Sequence, residues 1–465
     1  MPPTNNPTCL SVRQLSAQIS GGQLSSSHAV EAFLAAISAR EDKLQAYTEV
    51  YADDARQAAH AADLAIQAGH AVGPLHGVPI ALKDLIELEG RITTGGCAAW
   101  RDRRSTYTAT LAKRLLAQGM IVLGKTHTVE FAMGGWGTNM RMGTPWNPWD
   151  TATARAPGGS SSGSGVAVAA GLAPWAVGTD TGGSVRLPAS WCGLTALKVT
   201  SGRISTHGVL PLSPSLDTPG PMAHSVDDAA LLYQAMRGPD AQNRRTWGLP
   251  AMHDGAGARP SLAGMHLACL ADPERAAVDR DVLAAYDRSL DELTNLGADI
   301  QPLELPFAFA EIAELNGRIM SAESYALLAA VVDDTSLPLD EHVRPRIQAG
   351  RDITSYAYLT TLAKRKQLQQ QLDTALANTD ALLTPTTLTT APTLDAVDEA
   401  SSPAHFTRFA NLLELCALAL PNGFDHQGLP TSLQIIGRRY DEATPLHIGR
   451  VYQTATDWHS RRAPV

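Results

Sequence analysis

At 465 residues, 44% hydrophobic and 18% charged, the chain is long enough to bury a sizeable core and has the composition of a soluble globular protein. A formal charge of −9 and the lack of any run of basic residues argue against a nucleic-acid surface, which needs clustered Lys and Arg. Five cysteines without C-x-x-C spacing, and fourteen histidines without an H-E-x-x-H pair, fit reduced thiols and give no support for a zinc site.

The elements read in chain order as follows. Residues 28–40 place Val30, Phe33, Leu34 and Ile37 on one helical face, and 53–69 form an Ala-rich amphipathic stretch. From Gly73 to Gly220 the texture changes: Gly and Pro recur between short apolar runs such as VPIALKD, MIVLGKT and AVGTD, with helix-like VAVAAGL among them. Residues 236–262 read as a surface connection. After them come a strand at MHLACLA, a helix from Glu274 to Leu296, a strand at ADIQPLELP, helices over 308–332 and 354–377, strands at ALLTPTT and SLQIIG, and a closing helix. Alternation of this kind predicts an α/β fold with a large mixed, mostly parallel, twisted sheet covered by helices on both faces. The N-terminus MPPTNNPTCL lacks a signal-peptide pattern. The most apolar stretch, Val166–Val177, is too short to span a bilayer and carries Gly171 and Pro174. A cytoplasmic protein with no membrane partner is the expectation.

Residues 119–126, GMIVLGKT, fit the phosphate-loop pattern G-x-x-x-x-G-K-[ST] letter by letter. A phosphate loop holds its variable residues in a loop between strand and helix. Here they are apolar and follow a helix (LAKRLLAQG, with Gly119 as its stop), so the stretch reads as a buried strand.

Three other stretches carry chemistry. GPLHGVPIALKD sets Lys83 in an apolar context, APGGSSSGSG sets four serines among glycines, and GTDTGGSVRLPASWCG ends a Thr-Gly-Gly run on Ser184. Each has a plain reading: a lysine whose stem is buried and whose head is wet, a flexible Gly/Ser loop, and a turn with an N-cap. Jointly they have another. A serine needs a base to become a nucleophile, and no G-x-S-x-G elbow is present to suggest an ordinary hydrolase triad. A lysine can be that base only when neutral, and burial favours the neutral form. Asp84 beside it need not oppose this, because adjacent strand residues point to opposite faces. Glycines before Ser184 let several N–H groups converge on one point, as an oxyanion hole requires.

In this order the stretches resemble the amidase signature family of Ser–cis-Ser–Lys hydrolases, strongly over about residues 60–235 and more loosely over 370–445. The resemblance implies a single amidase signature domain over 1–465, with a helical region to residue 70, a signature core at 71–235, and the rest of the sheet and its helices at 236–465. It implies Lys83 as catalytic lysine, Ser160 as the serine after a cis peptide bond and Ser184 as nucleophile. The N–H groups of Thr181, Gly182, Gly183 and Ser184 would form the oxyanion hole, with Asp180 and Arg186 supporting the loop. By the same resemblance Ala132, Met133, Gly134 and Trp136 line the acyl pocket, and the loop Phe406–Pro421 forms another wall. There NLLELCAL departs from the family's frequent NLLGLPAL, and Glu414 and Cys416 either face the pocket or support the loop.

The implied activity is hydrolysis of a small amide, carbamate or urea-like substrate, without metal or cofactor, with a homodimer as the family-level expectation. Two alternatives stand beside it. The first is the glutamine-hydrolysing A subunit of a tRNA-dependent amidotransferase, which uses an arginine and an aspartate to hold glutamine. Arg365 is placed for the first role, but Ala404 falls where the acid belongs. The second is a non-catalytic protein that uses PGGSSSGSG as an anion nest, which leaves the concurrence of Lys83, Ser160 and Ser184 unexplained.

Overall fold

A computed structural model describes residues 6–251 and 261–465. The start of the MPPTNNPTCL stretch and part of the 236–262 connection lie outside the described residues.

Eleven strands form one sheet: β1 (Tyr47–Val50), β2 (Pro79–Lys83), β3 (Ile121–Thr126), β4 (Ala176–Asp180), β5 (Thr195–Lys198), β6 (Thr218–Ala223), β7 (His266–Leu270), β8 (Asp299–Leu303), β9 (Ala381–Pro385), β10 (Cys416–Phe424) and β11 (Pro430–Gly437). Their spatial order is β1-β3-β2-β4-β6-β5-β10-β11-β9-β7-β8. The sheet is mixed, but it is not mostly parallel as the alternating pattern suggested. Only β3–β2, β2–β4, β9–β7 and β7–β8 are parallel, and the middle of the sheet, from β4 to β9, is antiparallel throughout. The antiparallel centre rests on β5, β6 and β10, whose strand character the sequence pattern does not reveal. β6 carries Pro219 and Pro221, which ordinarily argue against an inner strand because they donate nothing to the ladder. The β5–β6 pairing avoids them by engaging only Thr195–Ala223 and Ala196–Met222.

Central strands β2 and β4 are buried along their whole length, as expected of strands covered on both faces. One group of mutually packed helices, Ser162–Ala169 and Arg186–Cys192, lies against β2, β4, β5, β10 and β11. A second group, Val226–Met236, Arg280–Asn295 and Ala443–Ala455, packs on β5, β6, β9, β10 and β11. At about 25 cal/mol per Å² of apolar area removed from water, burial of residues such as Leu197, Leu418 and Ile435 between these layers supplies the dominant stabilisation.

The predicted helix over 274–296 is broken into Asp272–Arg275 and Arg280–Asn295, because Asp279 caps the second piece by accepting the Asp281 N–H. The segment Phe406–Pro421 is no simple loop. It holds a short helix, Arg408–Leu412, and the first two-thirds of β10. GMIVLGKT is confirmed as strand: β3 lies between β1 and β2, Gly119 ends the preceding helix with φ +76°, and buried Lys125 pairs with Asp84 at 3.1 Å. The lysine of the phosphate-loop pattern is thus already occupied.

Candidate active site

The site is built where β2, β4 and the loops after them meet. Lys83 ends β2 and is fully buried. Its Nζ donates to Ser160 Oγ and to Thr179 Oγ1, each at 2.8 Å. Asp84, the next residue, turns the other way, accepting from Lys125 Nζ, the Thr94 N–H and Thr94 Oγ1. Burial is the largest influence on Lys83 and pulls its pKa down to about 7. The charges of Asp180 and Asp217 oppose this and are overridden. At neutral pH a substantial fraction of Lys83 therefore carries a free lone pair beside a serine hydroxyl.

The Gly159–Ser160 peptide bond is cis, as the resemblance implied. Ser160 is fully buried, and its carbonyl accepts from the Val129 N–H and Thr128 Oγ1. The following residues start the buried helix Ser162–Ala169. Ser161 joins the two serine-bearing loops: its N–H donates to the Ser184 carbonyl at 3.2 Å, and its Oγ bridges the Thr179 N–H and carbonyl. Gly163 needs to be glycine, because a Cβ there would collide with Ala46 O and His127 N.

Ser184 is one of the residues lining a pocket of about 420 Å³. Asp180 and Arg186, both fully buried, fix the loop that carries it. Asp180 accepts from Arg186 Nε and Nη2, from Asn411 Nδ2 and from the Gly183 and Val185 N–H groups. Burial alone would raise the Asp180 pKa, but the charge and hydrogen bonds of Arg186 overcome it and hold the group near 2. Arg186 also donates to Thr407 O, Gln434 Oε1 and Asn411 Oδ1. One expectation needs correction here. The Gly183 N–H is committed to Asp180 at 2.8 Å and is not free to face an oxyanion, which leaves the N–H groups of Thr181, Gly182 and Ser184 as candidate donors.

Of the expected pocket residues, Ala132, Met133 and Gly134 line the cavity, together with Thr181, Gly182 and Ser184. Phe131 and Ala132 are both left-handed, at φ +49° and +61°. Such strain in side-chain-bearing residues clusters at functional sites. Trp136 does not line the pocket; its ring stacks on Trp191 at 5.6 Å, in a separate apolar cluster with Ala156 and Ala391. Neither Glu414 nor Cys416 lines the cavity. Glu414 pairs with Arg365 at 3.0 Å, and Cys416 Sγ donates to Arg438 O. Arg365 is held by this pair and by Leu412 O, away from the pocket, whereas Ala404 is on the wall.

Sequence reasoning missed several neighbours. Thr179 reads as an ordinary β-strand residue, and nothing local marks it as a partner of Lys83. Thr407 donates to Gly182 O at 2.6 Å across 225 positions of sequence, and Asp217 accepts from Thr181 Oγ1. Arg408 lies on the pocket wall beside Thr407.

The sequence model of the amidase family matches residues 28–446. The chain belongs to the amidase family. Among curated relatives, it is 36% identical to the A subunit of the glutamyl-tRNA(Gln) amidotransferase of Ralstonia nicotianae, covering 98% of this chain and 99% of that one. It is 34% identical to the corresponding protein from Chloroflexus aggregans, over 97% and 98%. Among solved structures, this amidase family member superposes with a TM-score of 0.89 and 29% identity on a chain from a vestigial protein complex that bears on the origins of an s-triazine catabolic enzyme, covering 96% of this chain and 98% of that one. It matches the native peptide amidase of Stenotrophomonas maltophilia with a TM-score of 0.86 and 30% identity, over 98% of each. Among the described residues no helix is long and apolar enough to cross a membrane.

Proposed function

We propose that this amidase family member hydrolyses a small-molecule amide through an acyl-enzyme on Ser184. The observation that carries the reading is the 2.8 Å contact between a fully buried Lys83 and Ser160, made at the end of a strand with Asp84 turned away. Neutral Lys83 takes the proton of Ser160 Oγ as Ser160 takes that of Ser184 Oγ. Ser184 Oγ then bonds to the amide carbon, and the resulting oxyanion is met by backbone N–H groups of the 181–184 turn. Collapse of the intermediate expels ammonia or an amine, which regains the proton through Ser160. Water then cleaves the ester by the same relay in reverse. Release of ammonia or amine from a panel of linear amides, aryl amides, carbamates and glutamine, compared between wild type and Ser184→Ala, tests this. Turnover surviving in the variant would reject it.

A second reading, the glutamine-hydrolysing A subunit of an amidotransferase, is favoured by the names of the curated relatives. Two observations count against it: Arg365 is engaged by Glu414 and is not among the cavity's lining residues, and Ala404, which the resemblance aligns with the acid that holds glutamine's ammonium, lines the wall. Turnover confined to glutamine, or appearing only with partner proteins, would favour it.

A further inference from the structure

The pocket above Ser184 carries two arginines and no carboxylate among its lining residues. Arg346 is spoken for, since its guanidinium pairs with Glu399 at 2.8 Å and donates to Met133 O. Arg408 is not. Among the described residues no acid pairs with it, and its one hydrogen bond is a 3.5 Å contact to Ala313 O at the limit of a real bond. Burial, and then the nearby charge of Arg346, both lower its pKa, so the guanidinium is held in a setting that lacks a counter-charge.

Beside it stands a second unsatisfied group. Asn316, on the helix Phe309–Val332, is fully buried, and both polar atoms of its amide lack a partner. Buried amides are nearly always paired, and the next residue, Gly317, lines the cavity, so an occupant there could supply the missing partner. The two residues converge on the same point of the reactive loop. A Cβ built on Gly182 would sit 3.5 Å from Arg408 Cγ and 3.5 Å from Asn316 Oδ1. The register is firm, because Thr407 Oγ1, one residue before Arg408, is bonded to Gly182 O at 2.6 Å.

We infer that Arg408 and Asn316 form an anion subsite, and that the physiological amide carries a carboxylate at its other end, as in a compact monoamide of a dicarboxylic acid. A guanidinium fork donates two parallel hydrogen bonds to a carboxylate, and the unpartnered Asn316 amide, rotated so that Nδ2 rather than Oδ1 faces Gly182, can donate to the same group. The pocket offers nothing acidic for an ammonium, so glutamine, with its α-amino charge, is a poorer fit than the same chain without that group. The inference rests on the amide-hydrolysing reading of Ser184 for its kinetic arm, but its binding arm does not.

The test compares glutaramate, the monoamide, with neutral glutaramide by kcat/KM, and measures glutarate binding by calorimetry. The monoamide is expected to be favoured about a hundredfold, because a charged partner left unpaired in a buried site is rejected strongly. Arg408→Met should collapse that ratio and weaken glutarate at least about tenfold, with Arg408→Lys recovering part of both. Asn316→Asp, which sets a negative charge against the subsite, should weaken glutarate too and serves if Arg408→Met does not fold. Wild type that turns over the diamide as well as the monoamide, or a ratio unmoved in Arg408→Met, overturns the proposal while leaving the amidase reading intact. Glutarate binding that depends on Arg408 in a protein that hydrolyses no amide leaves the subsite standing and rejects the amidase reading instead. Absence of both binding and preference overturns the subsite.

Discussion

Lys83 and Asp84 are neighbours in sequence with opposite allegiances: Lys83 Nζ reaches Ser160 and Thr179, while the Asp84 carboxylate is taken by Lys125 and Thr94. The alternation of a β-strand is what separates them. Were both on one face, the carboxylate would hold the ammonium charged and unfit as a base. Lys125, one strand over, pairs with the acid nearest to Lys83 in the chain, and in the proposed relay that pairing leaves Lys83 without a neighbouring carboxylate partner.

The pH dependence follows with a definite sign. In the proposed relay Lys83 acts only when neutral, and burial pulls its pKa down to about 7. The value of kcat/KM for a neutral amide should therefore rise about tenfold per pH unit below that point and level off above it. A profile measured from pH 5 to 9 that is flat or falling across this window would contradict the assignment of Lys83.

Asp217 gives a finer check. Burial pushes its own pKa up to about 6, so it is charged over the alkaline part of the limb, where its negative charge raises the Lys83 pKa against burial. Asp217→Asn removes that charge, so the acid limb should move to lower pH while the plateau persists. A limb that moves upward, or does not move, would mean that a group other than Lys83 sets it.

Much of this arrangement was legible in the sequence, and the reasons for the remainder are physical. Lys83, Ser160 and Ser184 stood out because reactive types sat in glycine-rich turns flanked by apolar strands. The spans 28–40 and 308–332 read from the sequence lie within about one helical turn of Ser26–Leu44 and Phe309–Val332, each of which buries a row of apolar residues. Strand β6 was hidden by Pro219 and Pro221. Strand β10 was hidden by an apolar run, CALALPNGF, that alternates with nothing because it is buried nearly throughout. Trp136 stands apart from the pocket because nearness in sequence to Gly134 says nothing of the Trp191 ring on which it stacks. Partnerships such as Thr407 with Gly182 and Arg186 with Asn411 each join segments 225 positions apart, and no local pattern encodes them.

The Asp180–Arg186 pair should matter for stability as well as for position. Both side chains are fully buried, so removing one partner strands a charge away from water. Arg186→Met is expected to cost about 3–5 kcal/mol, read as a lowered thermal midpoint or denaturant midpoint. Unchanged midpoints would mean that Asp180 is satisfied by Asn411 and the backbone alone.

Gly163 tests the packing of the serine loop. A methyl group there meets the Ala46 carbonyl and the His127 N–H, both backbone groups that cannot step aside. Gly163→Ala should lose about 1–3 kcal/mol of stability, with turnover falling as Ser160 is displaced. Normal stability and activity would show the close approach to be looser than described.

The central claim is that Ser184, and not one of the four serines in the preceding loop, attacks the carbonyl. The most direct measurement is reaction with a fluorophosphonate, followed by peptide mapping of the adduct in wild type, Ser184→Ala and Lys83→Met. The account predicts one adduct, on Ser184, absent from Ser184→Ala and formed orders of magnitude more slowly in Lys83→Met. An adduct on Ser160 or Ser162, or one that persists in Ser184→Ala, would contradict it.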